Sequence, residues 1–144
     1  MRPAMGLFSA PVRHAMFVLV YMVHLEKGKI CTVQNISKDT GISEPTAAKI
    51  LQMLVKGRIL DSKKGPGGGF LLAVPQEQIT LARILLAIEG RESFSNCVVG
   101  LGVCGNASVC PHHAKWALIK QELNDFLNSA TIHEIDFEFL SENK

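Results

Sequence analysis

The stretch from Thr32 to Gly57 constrains the fold most, because two amphipathic helical patterns meet there at a glycine. The first pattern begins at Thr32, turns Ile36 inward and stops at Gly41. In the second pattern, apolar residues recur at the spacing of a helix with one buried face. These residues are Ala47, Ile50, Leu51, Leu54 and Val55. A short helix, a glycine turn and a second amphipathic helix predict a helix-turn-helix.

The outer face of the second predicted helix is small, polar and basic, as a helix that enters the major groove of DNA requires. Ser43 is the predicted N-cap, and Glu44 lies in the first turn, where the helix dipole favours negative charge. Thr46 and the Glu44–Pro45 turn are expected to position this helix on the DNA backbone. We predict that the residues facing the groove or its phosphates are Lys49, Gln52 and Lys56.

Two short apolar segments, Ile59–Lys63 and Phe70–Val74, predict a pair of strands directly after the helix-turn-helix. The segment between them, KGPGGG from Lys64 to Gly69, predicts a hairpin tip, and a hairpin in this position is a wing. A nucleotide-binding loop is disfavoured, because no helix bearing Lys and Ser or Thr follows the glycines. The wing residues predicted to approach DNA are Lys63, Lys64, Gly65, Gly67 and Gly68.

The charge distribution agrees with a DNA-binding front half. The formal net charge is only +2, but residues up to Gly90 carry 11 Lys or Arg against 6 Asp or Glu, whereas later residues carry 4 against 7. A basic segment followed by an acidic one predicts that the front half faces a polyanion. The alternative is an ordinary solvated surface.

The other helical patterns complete a mainly α chain. Residues Val12–Leu25 are apolar nearly all round and predict a buried helix, and Ile79–Glu89 predicts another with one apolar face. A longer helix is predicted over 111–128. Its apolar seam, at a spacing suited to pairing with a second copy, consists of Trp116, Ile119, Leu123 and Phe126. Trp116 would be ordinary core if the chain were a monomer.

Between these helices lies a cysteine-rich segment with the pattern C-x6-C-x5-C-x2-H. Its candidate ligands are Cys97, Cys104, Cys110 and His113, with His112 as the alternative to His113. Structural zinc sites prefer closer cysteine pairs, and the wider gaps suit an iron–sulfur cluster held by thiolates and one imidazole. Zinc binding, thiol redox chemistry and three buried thiols remain alternatives, whereas Cys31 is expected to be a buried thiol.

The totals exclude several classes of protein. The longest apolar run, Ala15–Val23, is shorter than the roughly 20 residues of a bilayer span, and no signal peptide is recognisable. We therefore expect a cytoplasmic protein without a membrane partner, where thiols stay reduced. Nothing marks an oxyanion hole for Cys–His catalysis, so an enzyme is not expected. A small iron–sulfur electron carrier is disfavoured by the helix-turn-helix and wing.

Taken together, these motifs resemble the Rrf-type winged-helix transcription regulators. The resemblance covers nearly the whole chain and rests on GISEPTAAKILQMLVKGRIL, KKGPGGGFLL, the cysteine segment and HAKW. It implies a homodimer with crossing C-terminal helices that binds a palindromic operator in double-stranded DNA. It also implies a cluster on the three cysteines whose presence or redox state sets DNA affinity.

The resemblance also bears on the type of cluster. In the IscR-like branch, the histidine that corresponds to His113 completes a 2Fe–2S site. In the NsrR-like branch, an aspartate of the other subunit completes a 4Fe–4S site, and Arg13 stands at that position here. A 2Fe–2S cluster is therefore expected, with 4Fe–4S or zinc as alternatives.

Three departures from the family pattern accompany the resemblance. The first cysteine gap has six residues instead of five, and Lys64 stands where an arginine is common. Ala48 stands where the IscR-like branch has a glutamate, so the operator sequence does not carry over.

The predicted organisation is mainly α with a small β-hairpin. A winged helix-turn-helix DNA-binding domain spans 1–90, and a cluster-binding loop spans 91–113. A dimerisation helix spans 111–130, and a C-terminal tail spans 131–144.

Overall fold

The computed structural model describes residues 8–90, 110–136, 138 and 142. The helices are α1 (Ala10–Val23), α2 (Val33–Thr40), α3 (Glu44–Lys56), α4 (Leu81–Glu89) and α5 (His113–Ser129). The strands are β1 (Leu60–Lys63) and β2 (Gly69–Leu72), and 3-10 turns lie at Gln76–Gln78 and Ile132–Glu134. This order of helices around one hairpin confirms the predicted mainly α, winged-helix fold.

The buried helix α1 is the centre of the packing. Pro11 lies in its first turn, where the missing backbone N–H costs nothing. Five of its side chains are fully buried, namely Val12, Ala15, Val18, Leu19 and Val20. They pack against α2, α3 and α4. Burying each of the larger side chains contributes about 1.5–3 kcal/mol, so α1 supports every element that surrounds it.

Element boundaries differ from the predicted ones by one or two residues. The difference at α4 has a structural cause. This helix begins at Leu81 and not at Ile79. The Thr80 hydroxyl accepts a hydrogen bond from the Arg83 N–H at 3.2 Å and so caps the helix. Ile79 lies outside the helix, where its side chain is fully buried and its carbonyl accepts a hydrogen bond from the Ile132 N–H.

A third segment of chain pairs with β2 next to the tip end of the hairpin. Strands β1 and β2 pair antiparallel, with Leu60 opposite Leu72 and Lys63 opposite Gly69. Cys31 then exchanges two backbone hydrogen bonds with Phe70, of 2.8 and 2.7 Å. A Cβ atom at Gly69 would lie 2.4 Å from the Cys31 carbonyl oxygen, so only glycine permits this approach. The wing is thereby joined to the segment that leads into α2.

The chain that follows α5 returns to the winged-helix core. The Leu81 N–H donates to the Ala130 carbonyl, and the Ile132 N–H donates to the Ile79 carbonyl, both at 2.9 Å. Leu127 and Ile132 are buried in the same hydrophobic core as the first four helices. We call the paired segments 79–81 and 130–132 the C-terminal clasp. Dividing the chain at residue 90 remains a prediction, and the core draws on residues from beyond that point.

Within the described residues, no helix is long and apolar enough to cross a membrane.

Candidate nucleic-acid interface and metal-binding segment

The turn between α2 and α3 is held by local hydrogen bonds. The Thr32 hydroxyl accepts from the Asn35 N–H at 3.2 Å and caps the start of α2. At the other end, Gly41 adopts a left-handed conformation and its N–H donates to the Ser37 carbonyl at 2.9 Å. The buried Thr40 hydroxyl donates to the Ile36 carbonyl at 2.6 Å. These bonds define both ends of α2, which packs against α3 as predicted for a helix-turn-helix.

Helix α3 has the predicted division into a buried and an exposed face. Ala47, Ile50, Leu51 and Leu54 are buried, and Val55 is half-buried. The side chains of the outer face that are exposed are Glu44, Pro45, Lys49, Gln52 and Lys56. Apart from Pro45 in the first turn, the exposed side chains of this face are polar or charged. Its contact with DNA bases remains a prediction.

The start of α3 differs in one detail from a standard cap. Ser43 is the N-cap residue, and its carbonyl accepts from the Ala47 N–H at 2.8 Å. Its hydroxyl donates to the Thr46 hydroxyl at 2.9 Å and does not cap a backbone N–H. The first-turn N–H groups are thus left without a serine oxygen, which leaves them available to an acceptor such as a phosphate oxygen.

The wing tip carries exposed positive charge on a compact backbone. The Gly68 N–H donates to the Gly65 carbonyl at 2.9 Å and closes the tip. Lys63, Lys64, Gly65 and Gly67 are exposed, and Gly68 is half-buried. No helix follows these glycines, because the chain continues into β2. Contact of the two lysines with DNA phosphates remains a prediction.

The end of α3 packs directly on α4. A Cβ atom at Gly57 would lie 2.6 Å from the Ala87 Cβ, so the glycine permits a contact that a side chain would prevent. The Arg83 guanidinium donates to the Arg58 carbonyl at 3.4 Å in the same region. The reading helix is therefore in contact with the helix that precedes the cysteine-rich segment.

The structure describes the predicted metal-binding segment only at its end. Cys97 and Cys104 lie outside the described residues, whereas Cys110 is a free, half-buried thiol. His113 is the first residue of α5, is half-buried, and its backbone N–H donates to the Cys110 carbonyl at 3.2 Å. His112 is exposed at the cap position. Cys110 and His113 thus share one turn, and within residues 8–90 and 110–136 no three metal-binding side chains converge.

The predicted dimer seam of α5 divides between two surroundings. Ile119 is 47% exposed and Phe126 is 55% exposed. Such exposure of large apolar side chains is expected where a second chain would pack. Leu123 is half-buried and packs on the core of its own chain. Trp116 is also half-buried. Sequence reasoning missed Leu118, which is 66% exposed. It lies off the 3-4 spacing, so spacing alone gave no signal for it.

A hydrogen bond between a half-buried tyrosine and an exposed aspartate ties α1 to the end of α2. The Tyr21 hydroxyl donates to Asp39 Oδ2 at 2.5 Å. Burial raises the pKa of Tyr21 well above its ordinary range, and Asp39 adds to the rise. Burial also raises the pKa of the Cys31 thiol, although Lys29 opposes the effect. Cys31 is 3% exposed, which confirms the prediction of a buried thiol.

Comparison with known proteins identifies the family. Residues 8–136 match the Rrf2 family, described as an iron-dependent transcriptional regulator. An HTH-type transcriptional regulator from Aquifex aeolicus is 30% identical over 131 residues, which are 90% of this chain and 90% of that protein. The HTH-type transcriptional regulator IscR of Escherichia coli O1:K1 is 31% identical over 101 residues, which are 70% of this chain and 62% of that protein.

Solved structures show the same fold. CymR, the global cysteine regulator of Bacillus subtilis, matches with a TM-score of 0.70 at 18% identity, over 97% of this chain and 99% of that one. IscR of T. potens matches with a TM-score of 0.61 at 23% identity, over 99% and 92%.

The relatives are named as transcriptional regulators, which confirms the prediction that the chain is not an enzyme. The relatives are named as helix-turn-helix regulators, and α2 and α3 form that motif in this chain. Both observations support regulation of transcription through DNA binding. The chain belongs to the Rrf2 family of transcriptional regulators.

Proposed function

We propose that this protein is a homodimeric transcription regulator that reports iron–sulfur, redox or nitric-oxide status through a 2Fe–2S cluster. The observation that carries the proposal is that the reading helix α3 packs directly on α4, the helix that leads into the cysteine segment. A family described as iron-dependent supports the same proposal. The parts that this proposal assigns are the DNA-binding face, the cluster ligands and the dimer helix.

On the DNA side, α3 would enter the major groove of an operator in double-stranded DNA. Lys49 and Gln52 are exposed on its outer face, and a glutamine amide matches the donor and acceptor pair of adenine. The start of α3 and the wing would contact the sugar–phosphate backbone. The residues assigned to the backbone are Ser43, Glu44, Pro45, Thr46, Lys56, Lys63, Lys64, Gly65, Gly67 and Gly68. Two such faces in a homodimer fit a palindromic operator.

On the sensor side, thiolates and an imidazole are the donor set that iron–sulfur proteins use. Cys110 and His113 share the turn at which α5 begins, and both are partly accessible. We assign the four ligands to Cys97, Cys104, Cys110 and His113. When bound, the cluster supplies one-electron redox chemistry and reactivity towards oxidants and nitric oxide. Zinc or thiol redox chemistry at the same cysteines is the alternative.

The proposed ligands lie between two helices that both pack on the core. Helix α4 precedes residue 91 and contacts α3 at Gly57 and Ala87. Helix α5 begins at His113, and its far end is held by the C-terminal clasp. A change of conformation between these helices would therefore act on the reading head at one side and on the exposed face of α5 at the other. Such a change would be the ligand-biased two-state element that a switch requires.

The experiment is anaerobic purification of the whole chain, followed by a visible spectrum and analysis for iron and sulfide. The proposal expects coloured protein with about two irons and two sulfides per chain. About four irons would indicate a 4Fe–4S cluster. Colourless protein, with zinc or no metal, would refute the cluster. Operator affinity is then measured in the cluster-bound, oxidised and apo states, and equal affinity in all three would refute the sensing role.

A further inference from the structure

A cavity of about 510 Å³ lies on the side of the hairpin opposite the wing tip. One wall is the segment after α1, residues 25–29, and the other is the chain that follows β2, residues 73–77. The strand register places Lys63 and Gly69 at the tip end and Leu60 and Leu72 at the cavity end. Its volume falls within the usual range for small-molecule sites, roughly 300–1,000 Å³. Neither the DNA-binding face nor the cysteine segment uses it.

The floor of the cavity is apolar. Its side chains come from the end of α1 and from the chain that leaves the hairpin. They are Met22, Val23, Leu25, Leu72, Val74 and Pro75. All of these except Pro75 are buried or half-buried, so the floor is a fixed part of the core and not a mobile surface. Such a floor favours an apolar body of a few carbon atoms.

The mouth of the cavity carries both signs of charge in equal number. Two carboxylates, Glu26 and Glu77, and two ammonium groups, Lys27 and Lys29, line it. Hydrogen bonds from its own backbone N–H and from Gln76 lower the pKa of Glu77, and His133 and Lys27 add to the effect. A ligand with one net charge meets as much repulsion as attraction at such a mouth. A zwitterion can place each of its charges beside an opposite one.

We propose that this cavity binds a small zwitterion with an apolar side chain, the chemical class of the apolar α-amino acids. Its carboxylate pairs with the lysines, its ammonium group with the glutamates, and its side chain covers the floor. The bound molecule bridges the end of β2 and the 3-10 turn Gln76–Gln78, which contacts the turn at Ile132–Glu134. Ligand binding therefore stabilises the C-terminal clasp as well as the hairpin. The site depends neither on the cluster nor on DNA.

The test is isothermal titration of the metal-free full chain with L-leucine and L-phenylalanine. Two half-ligands serve as comparison, 4-methylpentanoate with only the carboxylate and 3-methylbutylamine with only the amine. The proposal expects saturable binding of an amino acid and affinity about threefold or more weaker for each half-ligand, since each half-ligand lacks one of the two charges that this exposed mouth would pair. The absence of saturable binding, or equal affinity for a half-ligand, overturns it.

Two charge reversals on the exposed mouth locate the binding. Lys27→Glu and Glu77→Lys are expected to weaken binding about tenfold or more, whereas Lys115→Glu, on the exposed surface of α5, leaves it unchanged. Equal affinity in all three variants overturns the assignment to this cavity. Hydrogen exchange gives a second readout, because the ligand should slow exchange of the Ile132 N–H in the clasp. Unchanged exchange at that amide refutes the coupling to the clasp.

Discussion

The Ile132 N–H donates to the Ile79 carbonyl across 2.9 Å, and both side chains are fully buried. Fifty-three positions separate the two residues along the chain. One lies between the wing and α4, and the other lies beyond the helix assigned to dimerisation. The reading domain and the end of α5 are therefore parts of a single core.

Truncation of Ile132 tests this arrangement. Ile132→Ala should lower the free energy of unfolding by about 2–5 kcal/mol, because it leaves a cavity in a fully buried site. Ile135→Ala is the matched control, since Ile135 is only half-buried and should lose less. Urea unfolding followed by circular dichroism measures both. Equal losses would show that Ile132 has no special place in the core.

The Tyr21–Asp39 pair predicts a loss of stability at alkaline pH. Because burial and Asp39 raise the pKa of Tyr21 above its ordinary value of 10.0, the folded chain keeps a proton that the unfolded chain releases. The corresponding stability is complete below the unfolded pKa and declines as pH rises above it. Tyr21 is the single tyrosine of the chain, so tyrosinate absorbance reports it directly.

Two variants separate the causes of that shift. In Asp39→Asn, tyrosinate should form at lower pH than in the natural chain, although burial keeps the pKa of Tyr21 raised. In Tyr21→Phe, the slope of stability against pH above about 10 should flatten. Titration at the same pH in the natural chain and in Asp39→Asn would contradict the hydrogen bond.

DNA binding should respond differently at the wing and on α3. Lys64→Ala should weaken binding to all sequences and lower the slope of log affinity against log salt by about 1, because one phosphate contact is lost. Gln52→Ala should instead relax discrimination at one base pair, by about 1–3 kcal/mol. Fluorescence anisotropy with an operator and a scrambled duplex, over a salt series, separates the two effects.

Lys115→Ala is the control for these variants, since Lys115 is exposed on α5. It should leave both the salt slope and the discrimination unchanged. The assigned DNA-binding face would be wrong if Lys115→Ala matched the effect of Lys64→Ala.

The exposed apolar face of α5 predicts the site of dimer formation. Ile119→Glu and Phe126→Glu should convert the dimer to a monomer, because each would bury a charge in an apolar interface. Gln121→Glu, at an exposed polar position of the same helix, should remain dimeric. Sedimentation equilibrium gives the mass directly. A dimeric Ile119→Glu, Phe126→Glu double variant would place the interface elsewhere.

The ligand assignment predicts different outcomes for two adjacent histidines. His113→Ala should lose most of the iron and visible absorbance after anaerobic purification, because a cluster ligand is removed. His112→Ala should keep both, since His112 is exposed at the cap position. The reverse result would move the fourth ligand to His112. Retention of the cluster in both single variants would direct attention to the partner subunit.

The helical faces and the glycine punctuation were readable from sequence because they follow local rules. The Gly41 turn, the buried stripe of α3 and the hairpin each depend on spacing and on a residue at a fixed position. The C-terminal clasp could not be predicted from the sequence. Ile132 lies in a short segment where apolar and charged residues are interleaved, and only the three-dimensional position of Ile79 provides its burial.

The dimer seam shows the same limit. A 3-4 spacing finds the apolar residues of a helix, but it does not say which of them face the chain's own core. Leu123 and Ile119 share the predicted seam, yet the first packs inward and the second remains exposed. The exposure of Leu118 was not predicted, because this residue lies off that spacing. Tertiary packing alone distinguishes these three positions.

The C-terminal clasp also sets the order of events during synthesis. Ile132 fills a place between α1 and Ile79, so the reading domain cannot complete its core when Glu89 has left the ribosome. All residues from 90 to 131 must be translated first, and these include every candidate cluster ligand. The nascent chain therefore presents its cysteines before its DNA-binding fold is finished. Loading of metal and maturation of the reader can overlap in time.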